Sequence, residues 1–145
     1  LDAVGGRAHL EPLIAKLSEV GIRVSLFIEA DKRQLDAARA LGAPVIEIHT
    51  GAYCEAQGEE RAQHLKRIVE AAAHAEAIGL ECHAGHGLTY DTVGPIAAIP
   101  SIMELNIGHF LVGEAIFVGL EAAIRRMRQA MDEARGVVGS KAGAR

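Results

Sequence analysis

Apolar and polar positions along this chain follow two periods, and the switches between them mark its elements. From Ala8 to Val20, apolar Leu13, Ile14 and Leu17 recur at helical spacing with Pro12 near the first turn, so the stretch reads as a helix that Gly21 ends. β-Branched and aromatic residues then crowd Ile22 to Ile28 (IRVSLFI), which predicts a strand. Asp31 can cap the next helix, with Gln34 three residues on as in a capping box; Leu35, Ala38 and Leu41 point inward until Gly42 stops it. Pro44 precedes a second strand, Val45 to His49. A polar loop, Thr50 to Gly58, leads into a long helix from Glu59 to Ile78 with Leu65, Ile68, Ala72 and Ala75 on one face. Leu80 to Ala84 is a third strand, followed by Gly85-His86-Gly87. A short helical turn from Val93 to Ile99 is stopped by Pro100, and Met103 to Ile107 is a fourth strand. Gly108-His109 and a final helix from Glu114 to Ala134 follow, with Ile116, Leu120, Ile124, Met127 and Met131 as its buried stripe. Residues 136–145 form a Gly/Ala-rich basic tail expected to fray.

Strands alternating with helices make repeated βα units, hence an α/β fold with a parallel sheet. A free-standing four-stranded parallel sheet leaves two edges uncovered. A closed (β/α)8 TIM barrel takes about 250 residues, so residues 1–135 amount to about half of one. Leu1, not Met, opens the chain, which fits a processed or partial polypeptide.

The strands carry a second message. Parallel strands covered on both faces read as continuous apolar runs, yet here polar groups fall on alternate positions. Glu47 and His49 share one face while Ile46 and Ile48 take the other; Glu81 pairs by parity with His83, and Glu104 with Asn106. The apolar sets must meet the helices, so the polar sets point to the opposite side, the interior of a barrel. An unpartnered buried carboxylate costs several kcal/mol, so these groups pair with one another or bind something polar. Glu81 and Glu104, near strand starts, read as a satisfied network. Glu47 and His49, near a strand's C-terminal end, read as functional, because barrel sites form there.

Glycines follow two consecutive strands, at Gly85, Gly87, Gly108 and Gly113. They let backbone N–H groups approach a ligand closely, and a following helix N-terminus adds partial positive charge, a combination that suits phosphate. His86, between two glycines at a strand end, is a candidate general acid or base. A zinc site built from His49, Cys82, His83, His86 and His109 is disfavoured, since Cys82 and His83 point to opposite faces and no HExxH or paired CxxC spacing occurs. Cys54 and Cys82 read as inert thiols, and Arg125, Arg126 and Arg128 as a solvated helix face.

Composition narrows the partners. Half of the residues are hydrophobic, so the chain can bury a core, and nineteen Asp/Glu against fifteen Lys/Arg argue against a nucleic-acid or anionic-membrane surface. No apolar run approaches the roughly 18 residues of a bilayer span, no basic leader opens the chain, and two cysteines fit a reduced cytoplasmic setting.

At the level of motifs the chain resembles the pyridoxine 5'-phosphate synthase family of vitamin B6 biosynthesis. The likeness is carried by VSLFI (Val24–Ile28), GAP (Gly42–Pro44), IEIHTG (Ile46–Gly51), AGHGLTY (Ala84–Tyr90), AIP (Ala98–Pro100) and ELNIGH (Glu104–His109), in order over nearly the whole chain. The resemblance implies a (β/α)8 barrel of which this chain is the C-terminal half, strands five to eight, in a homo-octamer built from dimers. It implies condensation of 3-amino-2-oxopropyl phosphate with 1-deoxy-D-xylulose 5-phosphate to pyridoxine 5'-phosphate, phosphate and water, with no metal and no organic cofactor. By motif, His86 resembles the family's proton donor and Glu47 its transition-state-stabilising carboxylate; Gly87, Gly108 and His109 resemble substrate contacts, with His49, His83 and Asn106 as supporting residues around the pocket. His83 departs from the family's asparagine. The remaining catalytic groups belong to strands one to four, so this chain alone is expected to be inactive. The competing readings are another phosphate-binding barrel, an aldolase or epimerase, and a non-catalytic half-barrel assembly module.

Overall fold

A computed structural model describes residues 1–136. Four strands, β1 (Ser25–Ile28), β2 (Val45–His49), β3 (Glu81–Gly85) and β4 (Ile102–Asn106), form one sheet in sequence order, and every pairing is parallel. Between and around them run α1 (Arg7–Glu19), α2 (Lys32–Ala40), α3 (Gly51–Glu55), α4 (Gly58–Ala77), α5 (Val93–Ala97), α6 (His109–Val118) and α7 (Leu120–Ala134). An in-order parallel sheet of βα units fits half of a TIM barrel. Apart from Gly136, the tail lies outside the described residues.

The expected division of faces is present. Leu26, Ile28, Ile46, Ile48, Cys82, Ala84 and Ile102 are buried in one core with Ile14, Leu35, Ala38, Ile68, Ala72, Ala75 and Ile96 from the helices. Cross-strand register then lines up the other face: Phe27 lies opposite Glu47, Glu47 opposite His83, and Gly85 opposite both His49 and Asn106. A register shift between β3 and β4 leaves Met103 without a partner and 69% exposed, while Glu104 and Asn106 stay level with His83 and Gly85.

Several elements differ from the reading of periodicity, each for a local reason. β1 begins at Ser25, because its neighbour begins at Val45, directly after Pro44, which has no N–H to give a ladder. Asp31 does cap α2, accepting from the Arg33 N–H at 2.9 Å, but Gln34 closes no capping box. Its side chain instead ties down the N-terminal segment, accepting from the Ala3 N–H at 2.6 Å and donating to Asp2 Oδ1 at 2.9 Å. Residues 51–55 of the expected loop fold as α3. The final helix is two helices, since Gly119 takes φ 83°, a left-handed conformation that ends α6 and starts α7. The expected inward stripes are correspondingly thinner. In α1 only Ile14 is buried, with Leu13 and Leu17 exposed; in α7 Ala123 and Met127 are buried, while Ile116, Leu120 and Ile124 face outward.

Candidate active site

Two loop segments, after β3 and after β4, converge with Phe27 of β1 and Glu47 of β2 on one cavity of about 630 Å³, lined by Phe27, Glu47, His86–Thr89 and Asn106–Phe110. Glu47 reaches it from the middle of β2, half-buried, and accepts a hydrogen bond from Asn106 Nδ2 at 2.9 Å. Burial raises its pKa above the ordinary carboxylate value, and donation from Asn106 partly offsets that rise.

The turn after β3 is built from strained and glycine backbone. His86 has φ 80°, the sole non-glycine residue with positive φ among the described residues, and Gly87 follows at 79°. Thr50, fully buried, fastens this turn: its hydroxyl oxygen lies 2.7 Å from the Gly85 carbonyl and 2.6 Å from the His86 carbonyl, and its N–H donates to Gly85 at 2.8 Å. The unforeseen helix α3 supplies that anchor, since Thr50 is its N-cap. Gly87 lies over α3, where a Cβ would stand 3.2 Å from Cys54 Cβ.

Gly85 is glycine because of its neighbours. A Cβ there would collide with Glu47 Oε1 and lie 2.8 Å from the Asn106 carbonyl oxygen, which is backbone and cannot step aside. Gly85→Ala is therefore expected to displace Glu47 and loosen the β3–β4 pairing. We expect a stability loss of about 1–3 kcal/mol by denaturant unfolding, with turnover falling further than stability explains.

Across the cavity, Gly108 and His109 open α6, so the free N–H groups of its first turn stand at the rim. Tyr90 fixes this corner, with its ring edge-on to Phe110 at 4.7 Å, Arg126 4.1 Å over its face, and its hydroxyl donating to the Ala123 carbonyl at 3.2 Å. Arg126 is thus a packing partner rather than a purely solvated charge; Arg125 and Arg128 pair with Glu121 and Asp132 on their own helix.

Of the sequence candidates, Glu47, His86, Gly87, Asn106, Gly108 and His109 line the cavity together. His49 stands behind His86, with ring centroids 4.7 Å apart. His83 lies deeper, held at 2.7 Å from Glu81 Oε1 and 3.6 Å from Glu104 Oε1, with Arg23 closing on Glu81. His83 pairs with both strand-start carboxylates as expected, but Glu81 is only partly buried and Glu104 is exposed, and the His83 and Arg23 contacts lower the Glu81 pKa. Phe27, which lines the cavity, and Glu29, whose carboxylate lies 3.3 Å from His49 Nδ1, were not singled out by sequence; strand parity could have found Phe27, which alternates with buried Leu26 and Ile28.

The thiols do not belong to this chemistry. Burial pushes Cys82 up to about 12 and raises Cys54, so thiolate is disfavoured at both. Among the described residues no three His, Cys, Asp or Glu side chains come together to hold a metal ion, and no helix is long and apolar enough to cross a membrane.

A parallel βα sheet with a carboxylate, an imidazole and a glycine-lined helix start at its carboxyl edge fits the class of barrel-type α/β proteins. Comparison with known proteins narrows the class: the model of the family described as Pyridoxal phosphate biosynthesis protein PdxJ matches residues 1–133, and the chain belongs to that family. It is 70% identical over 135 residues to the pyridoxine 5'-phosphate synthase of Rhodospirillum rubrum, an alignment covering 92% of this chain and 54% of that protein. It is 61% identical to the synthases of Zymomonas mobilis and Ruegeria pomeroyi, over 93% of this chain and 53% and 56% of theirs. The chain thus spans about half the length of the curated relatives it matches.

Proposed function

We propose that this chain is the C-terminal half, strands five to eight, of a (β/α)8 pyridoxine 5'-phosphate synthase. In the whole cytoplasmic protein it serves the condensation of 3-amino-2-oxopropyl phosphate with 1-deoxy-D-xylulose 5-phosphate. The convergence of Glu47, His86, Gly87, Gly108 and His109 on one cavity is the observation that carries the reading. The open polar face of the sheet and the outward apolar residues of α6 and α7, among them Ile116 and Phe117 at 78% and 85% exposure, support a complementary half. Without that half the chain is inactive. Assembly of the whole protein into octamers built from dimers is tested by light scattering.

Ring closure passes through imines, enamines and dehydrations, each needing a proton delivered or removed. His86, turned into the cavity by its left-handed backbone, donates the proton. Glu47 as carboxylate stabilises cationic iminium character, and it does so effectively because the half-buried site screens charge less than water. The N–H groups around Gly87 and Gly108–His109 hold a phosphate while the rest of the molecule reacts. The test is to incubate the full-length protein with the two phosphorylated ketones and analyse the products. Pyridoxine 5'-phosphate with equimolar inorganic phosphate supports the reading; a carbon–carbon cleavage or epimerised product without an aromatic ring overturns it in favour of an aldolase or epimerase.

A further inference from the structure

A second imidazole stands behind the proposed proton donor, partly buried and flanked on several sides. The His49 and His86 ring planes are tilted by 39° at 4.7 Å between centroids, and Phe27 packs edge-on against His49 at 5.1 Å. Gly51 closes another side: a Cβ there would lie 2.8 Å from His49 Cε1, 3.0 Å from its Nε2 and 3.1 Å from His86 Cδ2. The remaining nitrogen, His49 Nδ1, faces Glu29 Oε1 at 3.3 Å. The Glu29 side chain is 61% exposed, so the ion pair as such contributes little energy in water. What the carboxylate supplies is direction. A carboxylate on the Nδ1 side, though at 3.3 Å not aligned as a hydrogen bond, favours the tautomer with its proton there and Nε2 free on the side of Gly51. The other ionisable groups around the pair are Glu47, two residues earlier on β2, and Cys54, whose Sγ is 3.7 Å from the His86 carbonyl oxygen.

We propose that Glu29 and His49 are positioning residues for His86: Glu29 orients His49 as its Nδ1–H tautomer, and the oriented ring holds the His86 imidazole over the cavity. The inference rests on the reading of His86 as proton donor. It explains why a polar ring, where packing alone would accept an apolar residue like the neighbouring Ile48, fills a strand end between a carboxylate and the reacting histidine.

The test uses the full-length synthase labelled with 15N-histidine. The spectrum of the wild type is expected to show His49 as the Nδ1–H tautomer, and Glu29→Ala, at an exposed position that leaves folding intact, to release it to the Nε2–H form. In the same variant kcat falls by about tenfold, as for a reacting group held slightly out of line, with KM for both ketones retained, and Glu29→Asp recovers part of the loss. His49→Phe, which keeps ring packing but no tautomer, also loses kcat. An Nε2–H His49 in the wild type, or full turnover in both Glu29→Ala and His49→Phe while His86→Asn is impaired, overturns this inference alone. Full turnover in His86→Asn overturns it together with the proton-donor reading.

Discussion

Replacing His86 by Asn is expected to lower kcat for pyridoxine 5'-phosphate formation by about 10²–10⁴-fold, the usual worth of a positioned general acid, with little change in KM. The choice of Asn matters. His86 sits at φ 80°, a conformation that Asn adopts more readily than other non-glycine residues, so the turn between Gly85 and Gly87 keeps its path. The carbonyl that Thr50 holds at 2.6 Å is backbone and survives the change. Loss of turnover with an unchanged unfolding midpoint therefore reads on the imidazole itself. Retained turnover would remove His86 from the chemistry.

Glu47→Gln is expected to move activity and stability in opposite directions. Turnover falls by about 10²–10³-fold, because a neutral amide cannot stabilise a developing cation as the carboxylate does. Stability responds through linkage. Burial, the largest influence on Glu47, raises its folded pKa above the unfolded value, so the folded protein holds this proton more tightly than the unfolded chain. The contribution is fully present below the unfolded carboxylate range and is lost as pH rises through the raised folded value. Gln has no proton to lose and still accepts from Asn106, so the variant gains stability relative to the wild type between those two values and above. In the active enzyme the same shift is expected to place the acid limb of the kcat profile above the ordinary carboxylate range. Asn106→Ala, by removing the donation that lowers the Glu47 pKa, moves that limb further up. Unfolding curves and rate profiles across pH 4–8 check both signs; an acid limb that moves down in Asn106→Ala contradicts the assignment.

How far the sequence carries depends on whether a feature is local or needs register. Glu47 and His49 were legible because alternation with Ile46 and Ile48 is a property of one strand, and burying the isoleucines under helices settles which way the acid points. The glycines that line the cavity, Gly87 and Gly108, were legible because they follow strands directly. Other features depend on what an element packs against. Leu13 and Leu17 have helical spacing, yet α1 meets the core through Ile14, with Leu10 packed beside it, and leaves both leucines exposed. The stripe from Ile116 to Met131 assumes one straight helix, and a single left-handed glycine at 119 rotates its first half away from the second. Gln34 fits a capping box by spacing, but a long-range bid from the Ala3 N–H takes its side-chain oxygen. Glu29 escaped notice because its partner lies on the neighbouring strand, and the Phe27–Glu47 register that brings Glu29 and His49 level is a tertiary fact. Thr50 escaped for the same reason: its role is to bridge to the turn after β3, thirty-five residues on.

The proposed chemistry needs the acid, the imidazole and the glycine-lined helix start of this one pocket to act on the same molecule. The most direct measurement is the crystal structure of the full-length protein with pyridoxine 5'-phosphate bound. The phosphate is expected against the N–H groups of Gly87 and Gly108–His109, with the pyridine ring between Glu47 and His86. Product seated elsewhere, with Glu47 still engaged only by Asn106 and His86 untouched, would contradict the account.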